Sequence, residues 1–354
     1  MLPYFINLAF VLLVSFVGVR GRGKPSFMLL GVGFFSMIFL AGLREQVVGT
    51  DTRNYIYFYD LLQDFYSISD VNVDIEVGYL VLTWLLHFIS SEYITLLFGI
   101  AIFYIGTCYW AILKLSVNIP MSIFVFITMG FYTFGFNGAR QALAMGICFL
   151  AIDALQEKRF LKYSMHIFLA YFFHKSAIIL CLTYFILVGG GVGWKRFAYL
   201  IAASLAFLSF SGLVSVAATF SEKYENYGVS TDGGGGVQVA FLSAIAIFFM
   251  LFERYVIYGQ KAYNIYLNMY ILGVLIAVLS VVLGVDPSGM LRLNLYFTFS
   301  AVLLWPLVFK NIRSNGVRTF AIILFSLLYL TYYAMTLDSF SEMSPYVFNR
   351  NLFN

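Results

Sequence analysis

The chain has 354 residues, of which 62% are hydrophobic, 11% charged and 19% aromatic, with a net charge of +4 and a mean hydropathy of +0.89. A soluble domain carries about 25% charged residues, so this composition excludes a soluble globular protein and predicts an all-α, polytopic integral membrane protein. The positive charge falls in loops between apolar runs, where it orients helices rather than attracting nucleic acid.

Apolar runs of bilayer-crossing length begin at residues 3–19, which have no basic region before them and read as a retained anchor rather than a cleaved signal. They continue at 26–43, 93–113, 120–136, 140–156, 161–174, 176–193, 197–216, 238–252, 263–284, 291–309 and 317–337, predicting about 12 transmembrane helices in one domain, 1–354. The stretch near 77–90 is too short to cross and predicts a re-entrant or interfacial helix. Placing the basic loops RGRGK (20–24), Lys114, QEKRFLK (156–162), WKR (194–196), 253–261 and KNIRSNGVR (310–318) in the cytoplasm puts 14 of the 21 Lys and Arg inside. Two long external loops follow, 44–76 and 217–237, the second carrying four consecutive glycines that predict mobility. Cys108, Cys148 and Cys181 each lie within an apolar run, without metal-ligand spacing, and read as packing residues.

Against this background a few ionisable residues stand at the external ends of crossings: Arg44 in GLREQVVGTDTRNY (42–55), Arg140 in GARQALAMGI (138–147), His174 in FFHKSAII (172–179) and Arg292 in MLRLNLYF (290–297). Charges at that depth cost energy and mark sites. Each arginine taken alone is explained equally well by snorkelling to headgroups. Together on the face that a positive-inside bias depletes, they suit a phosphate group, since guanidinium binds it bidentately and stays charged. Arg44, Arg140 and Arg292 are therefore the candidate diphosphate ligands, with Gln141, Arg53 and Tyr55 in support. A diphosphate spread over arginines is also a better leaving group. No Asp-x-Asp pair, no phosphate-cradling Gly-Lys-Ser loop and no His-rich cluster is present, so neither a metal nor a nucleotide donor nor any other cofactor is expected. For a base that deprotonates an attacking hydroxyl there are three candidates: His174, which can shuttle a proton near neutral pH, then Glu76, then Asp51. The plain alternatives are a structural histidine, a helix-dipole partner at Glu76 and an Asp51 neutralised by Arg44 or Arg53. His87 and His166 read as packing residues, and the abundant Tyr and Phe as lipid-facing and interhelical filler, with interfacial belts explaining the external tyrosines as well as sugar stacking does.

Taken in order, LREQVVGTDTRNY, IEVGYLVLTWLLHF (75–88), GARQALAMGI, FFHKSAII, MLRLNLYF and a terminal SPYVF (344–348) resemble the EpsG-type, Wzy-like polymerases of bacterial exopolysaccharide and O-antigen repeat units. Val77 stands where that family commonly has Pro. The resemblance implies a multi-helix membrane glycosyltransferase in the bacterial inner membrane, with its active site on the periplasmic face. The growing glycan passes from undecaprenyl diphosphate to the terminal sugar of a new lipid-linked repeat unit, without a nucleotide sugar. Donor and acceptor oligosaccharides on undecaprenyl diphosphate, membrane lipids, a chain-length regulator and a flippase are the partners it implies. Three alternatives remain: a flippase or transporter, whose charges should line a path through the membrane; an O-antigen ligase, which shares the chemistry; and an O-acetyltransferase, which needs its site on the inner face.

Overall fold

A computed structural model describes residues 1–20, 25–62, 75–189, 196, 198, 235–284, 290–339 and 342–349. Its helices are α1 (Leu2–Arg20), α2 (Phe27–Gly42), α3 (Thr52–Leu61), α4 (Val77–His87), α5 (Tyr93–Leu115), α6 (Ile119–Thr128), α7 (Phe131–Asn137), α8 (Ala139–Gln156), α9 (Phe160–Tyr171) and α10 (Ile178–Gly189). The series continues with α11 (Gly236–Phe252), α12 (Gln260–Val282), α13 (Leu295–Thr298), α14 (Ala301–Asn311) and α15 (Asn315–Ser339). The chain divides into two compact units, one formed by Met1–Asp153, Leu161–Ile178 and Ile312–Asn354, the other by Ala154–Phe160 and Ile179–Asn311.

A polytopic membrane protein is what these helices make. Along α1 the large exposed side chains are Leu2, Ile6, Phe10, Leu13, Phe16 and Val17, and α15 exposes Val317, Phe320, Ile323, Leu324, Leu327 and Leu328. In water such contiguous apolar faces would drive association; in hydrocarbon they need no cover. Twelve crossings, however, is too many. Among the described residues five helices are long and apolar enough to span, or seven if two bent pairs each count as one. The expected run 120–136 is broken into α6 and α7, bent by 42°. Gly130 sits at the break with φ 79°, a left-handed conformation that glycine adopts without strain. The run 291–309 is broken likewise, by 43°. The runs 26–43, 161–174 and 176–193 form helices too short for a straight crossing; α9 has 12 residues, about 18 Å against a core of about 30 Å. Expected crossing 197–216 apart from residue 198, and all but the last residues of the loop 217–237, lie outside the described residues, as does 63–74 of the first loop.

In the first unit α8 is the central helix. Ala142, Leu143, Ala144, Met145, Ile147, Cys148 and Phe149 are all buried, as are Ala151 and Ile152, so it is enclosed on every side. That enclosure is why Arg140, Gln141 and Asp153 are tolerated at its ends. Tyrosines do more here than fill space. Tyr104 gives its hydroxyl to the Phe131 carbonyl at 2.8 Å, Tyr109 to Leu30 at 2.8 Å and Tyr132 to Met37 at 2.7 Å, each tying one helix to another's backbone. A buried ring with a satisfied hydroxyl packs as an apolar group and fixes register as well. The C-terminal segment returns to the start of the chain: Glu45 N donates to Val347 O and Asn349 N to Leu43 O, both at 2.8 Å, around a bridge between Arg44 and Phe348. Two quoted motifs, LREQVVG and SPYVF, thus form one structure.

In the second unit α11 and α12 pack through Tyr263 and Tyr270, whose hydroxyls reach Phe249 O (2.8 Å) and Leu242 O (3.3 Å). Arg196 is held there by Glu253 through two bonds of 2.7 and 2.9 Å and by Asn268 at 2.8 Å.

Candidate functional site

Glu76 is the residue just before α4, in extended backbone (φ −65°, ψ 135°). Its carbonyl accepts from Tyr79 N and Leu80 N, but its carboxylate makes no cap bond to the helix. Instead Oε1 meets His174 Nδ1 at 2.9 Å and Oε2 accepts from Arg140 Nη1 at 2.5 Å. A glutamate beside an α-helix N-terminus would normally serve that helix; this one is drawn to two partners, 64 and 98 residues away in sequence.

The backbone makes this meeting possible. His174 follows the end of α9, where the turn folds its N–H back onto Ala170 O (3.0 Å) and sends its side chain away from the helix. The same turn presents the Phe172 carbonyl to Gly78 N at 2.7 Å. A Cβ on Gly78 would stand 2.7 Å from that carbonyl oxygen, so only glycine lets the start of α4 approach the end of α9 this closely. Arg140 is the second residue of α8. The amide of the first, Ala139, donates to the Tyr55 hydroxyl at 3.0 Å, and that hydroxyl donates onward to Asn137 O at 3.3 Å. Tyr55 therefore pins α3 to the first turn of α8. Gln141 is buried next to Arg140.

Burial pushes the Glu76 carboxyl up, but the hydrogen bond to His174 and the charges of Arg140 and His174 outweigh it and hold the group at about 2. Glu76 is then a permanent anion at neutral pH. His174 and Arg140 each keep about a third of their side-chain surface open, 29% and 35%.

Arg44 lies deeper, 2% exposed. Its Nη1 donates to Ala41 O, and the guanidinium stacks over Phe136 with 4.3 Å to the ring centre. Its Nε and Nη2 have no hydrogen-bond partner, and among the described residues no carboxylate pairs with it. Burial pulls the group down to about 10, opposed by Tyr346, Tyr4 and Tyr132, so it stays protonated at neutral pH. A cavity of about 10 Å³ between Arg44, Tyr104, Tyr132 and Phe136 is at the lower limit for one water.

The other expected site residues are placed as follows. Arg53 is on the exposed side of α3. Asp51 is the residue before α3, its carbonyl accepting from Tyr55 N at 3.2 Å. Arg292 is half-buried in the turn Met290–Asn294 and belongs to the second unit. The structure thus brings together Glu76, His174, Arg140, Gln141 and Tyr55, with Arg44 tied to α7 through Phe136. Sequence reasoning set Glu76 and His174 against each other as rival bases; they are hydrogen-bonded partners. It also missed Gly78 and Phe136. The only trace of Gly78 was its place in the EVGY motif.

At the far end of α8 a second cluster forms. Asp153 accepts from Lys114 Nζ at 2.7 Å and Lys162 Nζ at 3.1 Å. Asp153 is thus neutralised by two lysines. His87 and His166 are structural as expected: His87 stacks on Tyr59 with ring centres 3.8 Å apart and meets Tyr59 O at 2.9 Å, and His166 meets Lys162 O at 2.7 Å.

Compared with known proteins, residues 27–348 match the family model described as the EpsG family. No curated protein and no solved structure matches the chain.

Proposed function

The chain belongs to the EpsG family, a family of Wzy-like polysaccharide polymerases, and on that premise we propose that it joins lipid-linked oligosaccharide repeat units at the external face of the bacterial cytoplasmic membrane. The growing glycan leaves undecaprenyl diphosphate and is transferred to a sugar hydroxyl of a new undecaprenyl-diphosphate-linked repeat. Neither a metal nor a nucleotide sugar takes part. A flippase and a chain-length regulator are the partners such a reaction needs before and after it.

The observation that carries this reading is the Glu76–His174 hydrogen bond, with Arg140 on the other carboxylate oxygen. A carboxylate can only accept, so the neutral imidazole of His174 presents Nδ1–H to Glu76 and leaves the Nε2 lone pair for the reaction. Carboxylate-oriented imidazole is a recurrent general-base arrangement. In the proposed step the acceptor oxygen attacks the anomeric carbon, and its proton goes to His174 Nε2. The carbon–oxygen bond to the diphosphate breaks, and the electron pair leaves with the diphosphate. Glu76, already ionised, orients the imidazole and stabilises the imidazolium. Arg140, one-third exposed, offers its remaining N–H groups to the departing phosphate. Arg44, buried and uncompensated, supplies positive potential from beneath rather than an open fork. Arg292 remains a proposed diphosphate ligand, and Asp51 the weakest candidate for a base.

The test is turnover of purified lipid-linked repeat unit into a polymer ladder. His174→Ala and Glu76→Gln should each lose at least about 100-fold in turnover, and Arg140→Lys should lose activity because a point charge does not replace the planar fork. Near-normal turnover of His174→Ala between pH 6 and 9 would remove histidine from the chemistry. In a deletion strain, lipid carrying one repeat supports a polymerase, long unattached polymer a ligase, and absence of export a flippase.

A further inference from the structure

We propose that the outward face of α3 is a docking surface for the sugar rings of the lipid-linked glycan; this rests on the polymerase reading above. The helix sorts its residues by side. Thr52, Ile56 and Tyr59 are buried, whereas Arg53, Asn54, Tyr57 and Asp60 are exposed, Tyr57 by 64%. Spacings of four and then three residues place Arg53, Tyr57 and Asp60 on one stripe, with Asn54 one turn from Tyr57.

An amphipathic helix that lies in a membrane interface turns its apolar side to the lipid. α3 does the reverse: its apolar side faces the protein, and what it shows outward is the Tyr57 ring, edge-on to the half-buried Phe58 at 5.7 Å, set among a guanidinium, an amide and a carboxylate. A pyranose has the complementary surface, with axial C–H groups on one face and hydroxyls around the edge. A tyrosine ring covers the first, and Arg, Asn and Asp donate to and accept from the second.

Position selects the occupant. Tyr55, between the exposed residues and turned inward, bonds to Ala139 N and Asn137 O, directly before Arg140. The stripe therefore borders the place where Arg140 meets Glu76 and His174. A glycan leaving that place along the outside of the unit runs over α3.

The experiment uses the full-length protein in lipid nanodiscs with purified lipid-linked repeat unit, comparing wild type, Tyr57→Ala, Tyr57→Trp and Asn54→Ala/Asp60→Ala. The surface predicts about a tenfold loss of apparent affinity in Tyr57→Ala, with kcat within about twofold of wild type, and recovery in Tyr57→Trp, because the ring rather than the hydroxyl makes the contact. Two sources of sugar are separated by chain length. If the face holds the incoming repeat, KM rises from the first transfer onward. If it holds the growing chain, the first transfer is unaffected and the products shorten. Unchanged KM and unchanged chain length in Tyr57→Ala and in the double variant would overturn the proposal and return Tyr57 to the headgroup belt. Wild-type protein that forms no polymer at all would overturn the polymerase reading, and this inference with it.

Discussion

Glu76 carries the energetics of the site, and its environment sets a pH signature. The carboxyl is depressed from 4.5 to about 2 in the folded protein. A depressed carboxylate contributes stability that is fully present above its unfolded pKa and is lost as pH falls through its folded one. That window runs from about 4.5 down to about 2, and a shift of this size corresponds to about 3 kcal/mol. Thermal midpoints of the detergent-solubilised protein should therefore fall more steeply below pH 4.5 in wild type than in Glu76→Gln; parallel curves would show that the carboxylate gains nothing from His174 and Arg140. Gly78 gives an independent test. The Cβ of Gly78→Ala would meet a backbone carbonyl, which cannot swing aside, so α4 must shift and carry Glu76 away from His174. Turnover should fall at least about tenfold, as displacement of a catalytic pair by about 1 Å does. Gly31→Ala, where nothing lies within 4 Å, should leave turnover unchanged. If both variants behaved alike, the close approach at Phe172 would have no bearing on catalysis.

At the scale of elements, hydropathy made the helices legible but not their lengths. The run 120–136 is apolar throughout, and nothing in a window average registers the left-handed turn that Gly130 makes between α6 and α7. The short α4 was readable because its apolar run stops after some fourteen residues. Its partner was not, because pairing Glu76 with His174 requires knowing that α4 and α9 meet at Gly78. The candidate residues themselves were legible for a different reason: an ionisable group in an oily chain stands out before any contact is known. Arg44 stood out in that way, yet its burial under the C-terminal segment had no local signal, since the contact spans the whole chain. That segment should be structural. Tyr346 stacks edge-on against Tyr4 at 5.3 Å and donates to Leu40 O at 2.6 Å. Tyr346→Phe, which removes the hydrogen bond alone, should cost about 1 kcal/mol. Tyr346→Ala, which also leaves a cavity beside Tyr4, should cost about 3 kcal/mol. Equal midpoints for the two variants in thermal unfolding would mean that the ring contributes nothing beyond its hydroxyl.

At the scale of the molecule, the first unit carries its own compass. Arg140, near the start of α8, meets Glu76 and His174, while Asp153, near its end, meets Lys114 and Lys162. Thirteen residues of α-helix separate Arg140 from Asp153, about 20 Å. The two clusters therefore lie at opposite ends of α8, and α9, running from Lys162 to the turn at His174, joins them again. We propose that the lysine-bearing end is the cytoplasmic one, as a positive-inside bias expects, with Glu76, His174 and Arg140 then on the external side. The same geometry bears on α4. Its first residues sit against the turn at Phe172, and His87 at its last turn meets Tyr59 of α3, the helix that Tyr55 ties to the start of α8. Both ends of α4 are thus held at the Arg140 end of the unit, and eleven residues, about 17 Å, do not reach across a core of about 30 Å. Reporter fusions at Lys114, Lys158 and Arg313 should read cytoplasmic. Fusions at Asp60, before α4, and at Ser91, after it, should both read external. Opposite readings at Asp60 and Ser91 would mean that α4 crosses, and that the two charge clusters do not mark the two faces of the membrane.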